Sequence, residues 1–174
     1  PNAARLIGSI GKYAYGEKGG TVFCHLFAAG KVSFSNGIQL ECITDYPYDM
    51  RVKYIISGSG RAAVRIPKRS RSFTLENGYI YIDLNGKTEI KLTLDGTPRF
   101  VRASNKVPRL TGMTALMRGP LVYCFESADN GDVRSLRIDR SQTPSVGGFE
   151  PRLLGGTVKL TAKAFRTSDC DDLY

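Results

Sequence analysis

In the first half of the chain, Asn-Gly pairs separate segments of alternating apolar and polar residues. There are three of them, at positions 36–37, 77–78 and 85–86. Asn-Gly is favoured in two-residue hairpin turns because both central positions of such a turn need positive φ. Alternation places one face of a strand against a core and leaves the other face in water. Because these signals recur about every eight to twelve residues, the pattern predicts an all-β fold of short antiparallel strands.

The predicted strands are short and end at turn residues. In the clearest of them, Met50, Val52, Tyr54 and Ile56 share one face. The full set in the first half covers residues 21–28, 31–35, 38–44, 50–57, 61–66, 73–75, 79–84 and 89–94. Strands of this length and spacing indicate an antiparallel β-sandwich, jelly-roll-like in kind, which we assign to residues 15–103.

The chain begins with a different period. The apolar residues that recur at helical spacing are Ala3, Leu6, Ile7 and Ile10. Asn2 is a suitable N-cap residue, so we predict one short N-terminal helix over residues 2–13, in a segment that ends at 14. The apolar stripe of this helix needs a partner, and an uncovered stripe predicts self-association through the helix.

Residues 104–174 are predicted to form a second, partial β-unit that is truncated at the C-terminus. Its predicted strands cover residues 113–117, 121–126, 135–138 and 157–162. The irregular segments around them are a connector at 98–108, a turn at 129–132 and a loop at 142–148. The run Leu121–Phe125 is apolar throughout, which predicts a strand buried on both faces between the two β-units.

The residues that could carry chemistry are few. His25 stands alone on a predicted strand, where a histidine is more often structural than catalytic. Asp45 and Asp49 flank Tyr46-Pro47-Tyr48, and such a loop either holds a sugar or simply turns a strand pair. A glycosidase needs two carboxylates roughly 5 to 10 Å apart. The acidic tail 168–172 lacks the spacing of a calcium loop and is interpreted as a solvated end.

The cysteines are Cys24, Cys42, Cys124 and Cys170. None forms a Cys-x-x-Cys pair, which argues against a zinc knuckle. Cys24 and Cys124 stand in apolar stretches, where cysteine acts as a small buried hydrophobe. Buried free thiols are the leading prediction and a disulfide is the alternative. The cysteines therefore do not indicate whether the cellular compartment is reducing or oxidising. We assign no catalytic, cofactor-binding or metal-binding residue to this chain.

The net charge of +9 raises the question of a phosphate-rich partner. The basic residues are spread singly along predicted strands, as on the wet face of a sheet, except for the cluster 68–71. This distribution favours a solvated surface over nucleic-acid binding. No uninterrupted apolar run approaches the ~18 residues of a membrane helix. The chain also has no tryptophan, which counts against an autonomous carbohydrate-binding module.

Three segments, taken together, resemble a known family. They are PNAARLI at 1–7, VRIP at 64–67 and ALMRGPLVYCFE at 115–126, which occur in fitting order and cover nearly the whole chain. They resemble the C-terminal part of the family 127 glycoside hydrolases, the β-L-arabinofuranosidase-like family. The chain departs from the family pattern where Lys68 and Arg69 follow Arg-Ile-Pro, because family members commonly have a tryptophan there.

The resemblance implies an N-terminal (α/α)6 barrel that carries the active site and is followed by β-sandwich domains. In the family the barrel ends in Cys-Cys-Pro-Pro-Asn-x-x-Arg, where the first cysteine is the nucleophile and the second helps to hold zinc. Pro1, Asn2 and Arg5 match the tail of that motif. The segment 1–14 would then be the last helix of a missing barrel, and zinc is expected in that barrel. None of the four cysteines here matches the catalytic or metal-binding ones.

The resemblance therefore implies a non-catalytic C-terminal β-sandwich region that braces an absent catalytic barrel. The chain alone is expected to have no activity and no cofactor, whereas its parent is expected to be a glycosidase. The expected partners are the parent's own barrel, a carbohydrate and a second copy of the chain, with no nucleic acid and no membrane. The alternative is a stand-alone carbohydrate-binding or structural interaction β-domain.

Overall fold

The structure is a computed structural model that describes residues 2–67, 74–153 and 155–166. It divides into two compact units, Pro1–Asp95 and Gly96–Tyr174, which we call the first unit and the second unit. Strands dominate both, so the prediction of an all-β fold with one N-terminal helix is confirmed. No helix in the described residues is long and apolar enough to cross a bilayer.

The elements of the first unit begin with the predicted helix and continue with strands. They are α1 (Asn2–Ala14), β1 (Tyr15–Lys18), β2 (Thr21–Cys24), β3 (Gly30–Ser33), β4 (Gln39–Thr44), β5 (Arg51–Arg65) and β6 (Tyr79–Thr93). Those of the second unit are β7 (Arg99–Arg102), β8 (Thr114–Arg118), β9 (Leu121–Tyr123), α2 (Ser127–Asn130), β10 (Leu136–Ile138), β11 (Ser145–Glu150), β12 (Thr157–Thr161) and β13 (Ala164–Arg166).

The first unit is organised by a long hairpin of two 15-residue strands, β5 and β6. The prediction of a break after residue 57 and of a turn at 85–86 is wrong, because both strands run through these positions. Gly58 pairs with Gly86 in an unbroken antiparallel ladder. Gly58, Gly60 and Gly86 have φ of 135°, 138° and 87°, values that glycine adopts without a Cβ clash, so the ladder continues where other residues would interrupt it.

One edge of β5 pairs with β6, and the other edge pairs with two different strands. Its first half pairs with β4 in antiparallel register, and its residues 61–64 pair with β2 in parallel register. The sheet order is β1-β2-β5-β4-β3, with β6 on the other edge of β5. The expected sheet was purely antiparallel, so the parallel pair is a difference. A parallel pair needs a crossover of a dozen residues or more, and the β3–β4 hairpin provides that length of chain.

A single core joins the two halves of this sheet. The even-numbered residues of β5 are buried on both sides of the glycine segment: Val52, Tyr54 and Ile56 before it, and Ala62 and Val64 after it. They form one cluster with Val22 of β2 and Leu40 of β4. Ile38 is fully buried, and a Cβ at Gly58 would lie 3.1 Å from its Cα. The close backbone approach therefore depends on glycine.

The helix α1 meets the sheet at its C-terminal end. The backbone N–H groups of His25 and Leu26 donate to the Ala14 carbonyl oxygen at 2.8 and 3.4 Å. Ala14 is buried, whereas Ile7 and Ile10 are 74% and 54% exposed. The prediction of a short helix with an uncovered apolar stripe is thus confirmed for the residues whose side chains are described.

The second unit is made of smaller pieces. One three-stranded sheet has the order β7-β8-β9, and two ribbons pair β10 with β13 and β11 with β12. Three sequence predictions are wrong here. The connector at 98–108 contains β7, and residues 145–148 of the predicted loop belong to β11. The first two residues of the predicted turn at 129–132 belong to α2. Strands this short bury too few residues to give a clear alternation.

The apolar run Leu121–Phe125 does not have two buried faces. Only its first three residues form β9, which is an edge strand of the three-stranded sheet. Val122 is 66% exposed, and Cys124 is exposed. Burial alternates along the run, so the prediction of a strand covered on both sides is wrong for the described residues.

Candidate functional site

The acidic loop singled out in the sequence forms a tight turn between β4 and β5. The N–H groups of Tyr48 and Asp49 donate to the Asp45 carbonyl oxygen at 3.0 and 3.2 Å. The Thr44 hydroxyl donates to the Arg51 carbonyl oxygen at 2.8 Å and accepts from the Tyr46 N–H at 3.0 Å. These bonds close the turn and fix the direction of its side chains.

The two carboxylates of this turn differ in environment. The Arg51 guanidinium donates to both oxygens of Asp49, with Nε at 2.8 Å from Oδ2, and the hydrogen bond to this carboxylate raises the pKa of Arg51. Asp45 is exposed. A glycosidase acid needs a carboxyl group kept protonated by an apolar or like-charged environment. Asp49 lies against a guanidinium and Asp45 lies in solvent, so neither carboxyl group has the surroundings of such an acid.

A groove of about 600 Å³ adjoins the turn. Its apolar part includes Ile43, which is 47% exposed, and Leu92. Its polar part includes Lys53 and Lys91, whose ammonium nitrogens lie 2.9 and 3.7 Å from carboxylate oxygens of Glu89. The charges around the groove are therefore largely paired with each other.

His25 belongs to a cluster of aromatic rings and not to a catalytic triad. Its Nδ1 lies 2.8 Å from the Tyr79 hydroxyl oxygen, and its ring is stacked beside Phe23. Burial, and then the nearby Arg65 charge, lower the pKa of His25. The imidazole is therefore neutral at neutral pH, and its hydrogen-bond partner is a phenol rather than a carboxylate.

The cysteines divide between buried and exposed positions. Cys24 and Cys42 are buried and free, and burial is the largest cause that raises the pKa of Cys24 to about 12. Cys124 is free and exposed, so its predicted burial is wrong. The strand that was expected to contain Cys124 and to be buried on both faces ends at Tyr123. The alternative of a disulfide finds no pair among these three, and Cys170 lies outside the described residues.

The described residues do not fit a zinc site, since they contain no group of three or more His, Cys, Asp or Glu that could hold a metal ion. The zinc expected in the family therefore stays a prediction for a part of a longer protein. The basic cluster 68–71 and the acidic tail 168–172 both lie outside the described residues.

Sequence reasoning missed the aromatic cluster itself. Phe23 lies on β2 and His25 directly follows that strand, whereas Tyr79 and Tyr81 lie on β6. All four residues stand at alternate positions of the face that a sandwich turns toward water. The signal was present in the sequence, because large aromatic residues at two successive outward positions are unusual on a wet face. The pairing that brings the two strands within ring contact was not predictable from alternation.

Comparison with known proteins gives consistent matches. Residues 98–164 match the C-terminal domain of glycoside hydrolase family 127. The chain is 38% identical to the non-reducing end β-L-arabinofuranosidase of Bifidobacterium longum subsp. longum, over 98% of this chain and 30% of that protein.

Solved structures agree with the sequence match. The crystal structure of a family 127 β-L-arabinofuranosidase from Geobacillus stearothermophilus T6 superposes with a TM-score of 0.81 at 31% identity, over 95% of this chain and 30% of that one. A second family 127 β-arabinofuranosidase gives 0.80 at 25% identity, over 94% and 31%. The chain thus spans about 30% of the length of the relatives it matches.

Proposed function

The chain belongs to glycoside hydrolase family 127 as its C-terminal, β-rich region, and from this premise we propose that it is a non-catalytic brace for the catalytic domain of a longer glycosidase. The relatives show this region as part of a longer protein. The described residues contain no helical barrel, and their acidic pair and histidine are not arranged for glycoside hydrolysis.

The observation that carries the bracing role is the uncovered stripe of α1. Ile7 and Ile10 are 74% and 54% exposed, although the helix is fixed to the sheet through Ala14. Burying an isoleucine side chain contributes roughly 1.5–3 kcal/mol. Two such residues on one helical face would contribute a few kcal/mol to docking against a second domain of the same chain. The proposed partner is the helical catalytic domain of the longer protein.

The relatives and the family resemblance support a proposal for the chemistry of the longer protein. We propose that it removes terminal β-L-arabinofuranosyl or related residues through a cysteine thiolate, with zinc holding the sulfur. A bound metal lowers the pKa of a thiol and keeps it deprotonated. No residue of this chain is proposed for that step.

The decisive test uses the longer protein and a double variant, Ile7→Asp with Ile10→Asp. Charged side chains on the docking stripe should lower the melting temperature of the catalytic domain and reduce hydrolysis of an aryl β-L-arabinofuranoside. Lys12→Asp is the matched control, because it places an acid on an exposed position of the same helix. Equal activity and stability of all three proteins would rule out the brace.

The exposed stripe also gives a prediction for the isolated chain, which applies whether or not this region acts as a stand-alone sugar-binding or interaction domain. In the isolated 174-residue chain, Ile7 and Ile10 would have no partner except a second copy. We then expect concentration-dependent self-association in sedimentation, abolished by the double variant. A chain that stays monomeric at high concentration would remove self-association from the proposal and leave the brace untouched.

A further inference from the structure

The aromatic cluster lies on the outer face of the sheet formed by β1, β2, β5 and β6. Phe23 pairs with Ala63, and Ala63 pairs with Tyr81, so the two rings flank a small residue across three strands. Ala63 is fully buried even though its odd position faces outward. The neighbouring side chains therefore close over it and form a continuous surface, which we call the aromatic face.

The rings of the aromatic face pack in two directions. Phe23 and His25 are nearly parallel, with an interplanar angle of 16° and centroids 5.9 Å apart. The Tyr79 and Tyr81 rings stand nearly perpendicular to Phe23, at centroid distances of 5.8 and 6.5 Å. Such edge-to-face contacts hold the rings in one geometry. The rings are half-buried, so each keeps part of its apolar surface open to solvent.

Polar groups lie within this apolar surface. The Tyr79 hydroxyl and His25 Nδ1 are 2.8 Å apart. A Cβ at Gly16 would lie 2.9 Å from His25 Nε2. The glycine thus leaves room for the imidazole, which stays neutral and can donate or accept a hydrogen bond. Apolar ring surface beside neutral hydroxyl and imidazole groups is the lining that sugars require.

The charges at the edge of the aromatic face are mostly positive. The Arg61 guanidinium lies 4.6 Å over the Tyr81 ring, and its Nε is 3.7 Å from a carboxylate oxygen of Asp83. Arg65, which pairs with Tyr79 in the ladder, forms no ion pair with any described residue. One guanidinium is therefore available to an external anion, and a guanidinium binds a carboxylate through two parallel hydrogen bonds.

From this arrangement we infer that the aromatic face binds an acidic saccharide, with a sugar ring against the exposed surface of Phe23 and a uronic acid carboxylate at Arg65. The inference deepens the proposed function, because it assumes that the longer protein acts on carbohydrate. It assigns this region a second task, the capture of a polymer whose side chains the catalytic domain would process. Neither Asp45 nor the groove beside it takes part.

The experiment measures binding of trigalacturonate to the 174-residue chain by calorimetry and by protein NMR. Galactotriose is the neutral comparison ligand. We expect trigalacturonate to bind more tightly than galactotriose, with shift changes at Phe23, Tyr79 and Tyr81. Arg65→Gln should weaken trigalacturonate about tenfold and leave galactotriose unchanged. Phe23→Ala should weaken both ligands.

Two control variants separate binding at the aromatic face from a general effect of surface charge and from the bracing role of α1. Lys31→Gln removes an exposed cation on β3, 77% exposed and paired with Glu41, and should leave binding unchanged. Ile7→Asp with Ile10→Asp should also leave binding unchanged, so a failed brace and a failed aromatic face give different results. Circular dichroism confirms that each variant is folded.

Three outcomes would overturn the inference. These are absence of trigalacturonate binding, binding that survives in both Arg65→Gln and Phe23→Ala, and tighter binding of a single-stranded oligonucleotide through the same residues. The last outcome is included because aromatic rings beside arginine also bind nucleic-acid bases.

Discussion

The first unit and the second unit have similar amino-acid compositions. They nevertheless bury very different amounts of apolar surface. The first contains a continuous cluster around Tyr54, Ile56 and Leu40, all at most 2% exposed. Among the described residues of the second unit, the buried hydrophobic side chains are Leu116 and Val158. Phe149, Phe165 and several other large apolar residues there remain exposed.

The difference follows from strand length. A 15-residue strand such as β5 offers about seven inward positions, because side chains alternate between faces. A three-residue strand such as β9 or β10 offers one or two. Short pieces can satisfy their backbone hydrogen bonds in ribbons and still fail to build a core. Strand pairing and core formation are therefore separate requirements. The second unit pairs its strands but builds little core.

The largest predicted contrast is in thiol reactivity. At pH 8 the thiolate fraction of Cys24, whose pKa is raised to about 12, is about 10⁻⁴. Exposed Cys124 should therefore react with a disulfide reagent at least ~1,000-fold faster than Cys24, and faster than Cys42, whose pKa is also raised by burial. A Cys170→Ser background removes the fourth thiol, and mass spectrometry identifies the labelled site. Similar rates at all three cysteines would mean that the core of the first unit is open.

The second contrast compares the same truncation in both units. Leu40→Ala in the first unit should lower the free energy of unfolding by about 4 kcal/mol, near the upper end for a leucine whose cavity cannot collapse. Leu116→Ala in the second unit should cost about 2 kcal/mol, because its looser surroundings can relax. Urea unfolding of each variant measures both values. If Leu116→Ala costs as much as Leu40→Ala, the two units do not differ in packing.

The third contrast tests the continuity of the long hairpin. Gly58→Ala should cost about 3 kcal/mol, since it combines a strained φ with a Cβ placed 3.1 Å from the Ile38 Cα. Gly86→Ala is the control: its φ is also positive, but its Cβ would meet no atom within 4 Å. We expect about 1 kcal/mol there. Equal losses would show that backbone strain alone, and not the close approach, sets the cost.

The smallest expected effect concerns the surfaces. Lys53→Gln removes an exposed ion pair with Glu89 in the first unit, and Arg134→Gln removes one with Asp132 in the second. Each should leave the free energy of unfolding almost unchanged, because water and salt screen an exposed ion pair. Thermal unfolding at low and high salt measures both. A large loss in only one unit would mean that the two units differ in surface electrostatics as well as in their cores.

Alternation predicted much of the first unit and little of the second. The helix and the strands around Val52 and Leu92 follow from strong periodicity, and their burial agrees with it. The continuity across Gly58 was missed because glycine and Asn-Gly are turn signals in isolation. The unbroken parity from Val52 to Val64 was the contrary signal. Apolar residues stay at even-numbered positions on both sides of the glycines only if no residue is inserted between the two halves. That pattern is typical of one continuous strand.

The functional surface could be predicted only in part. The isolation of His25 and the pairing of Asp45 and Asp49 in one loop were visible in the sequence, and neither feature forms a site of acid–base chemistry. The aromatic face depends on the parallel register of β2 with β5, which joins residues 23 and 81 through Ala63. Such long-range register is set by three-dimensional packing and leaves no local pattern in the sequence.

The parallel pairing also bears on the order in which the region assembles. The β5–β6 hairpin is local in sequence, whereas Thr21 finds its partner Arg61 forty residues later. Contacts between distant residues form slowly, because the intervening loop must be closed first. We therefore expect α1 and β1, which precede β5 in the chain, to dock only after β5 has been synthesised. The helix proposed to hold the two domains together would then be set in place last.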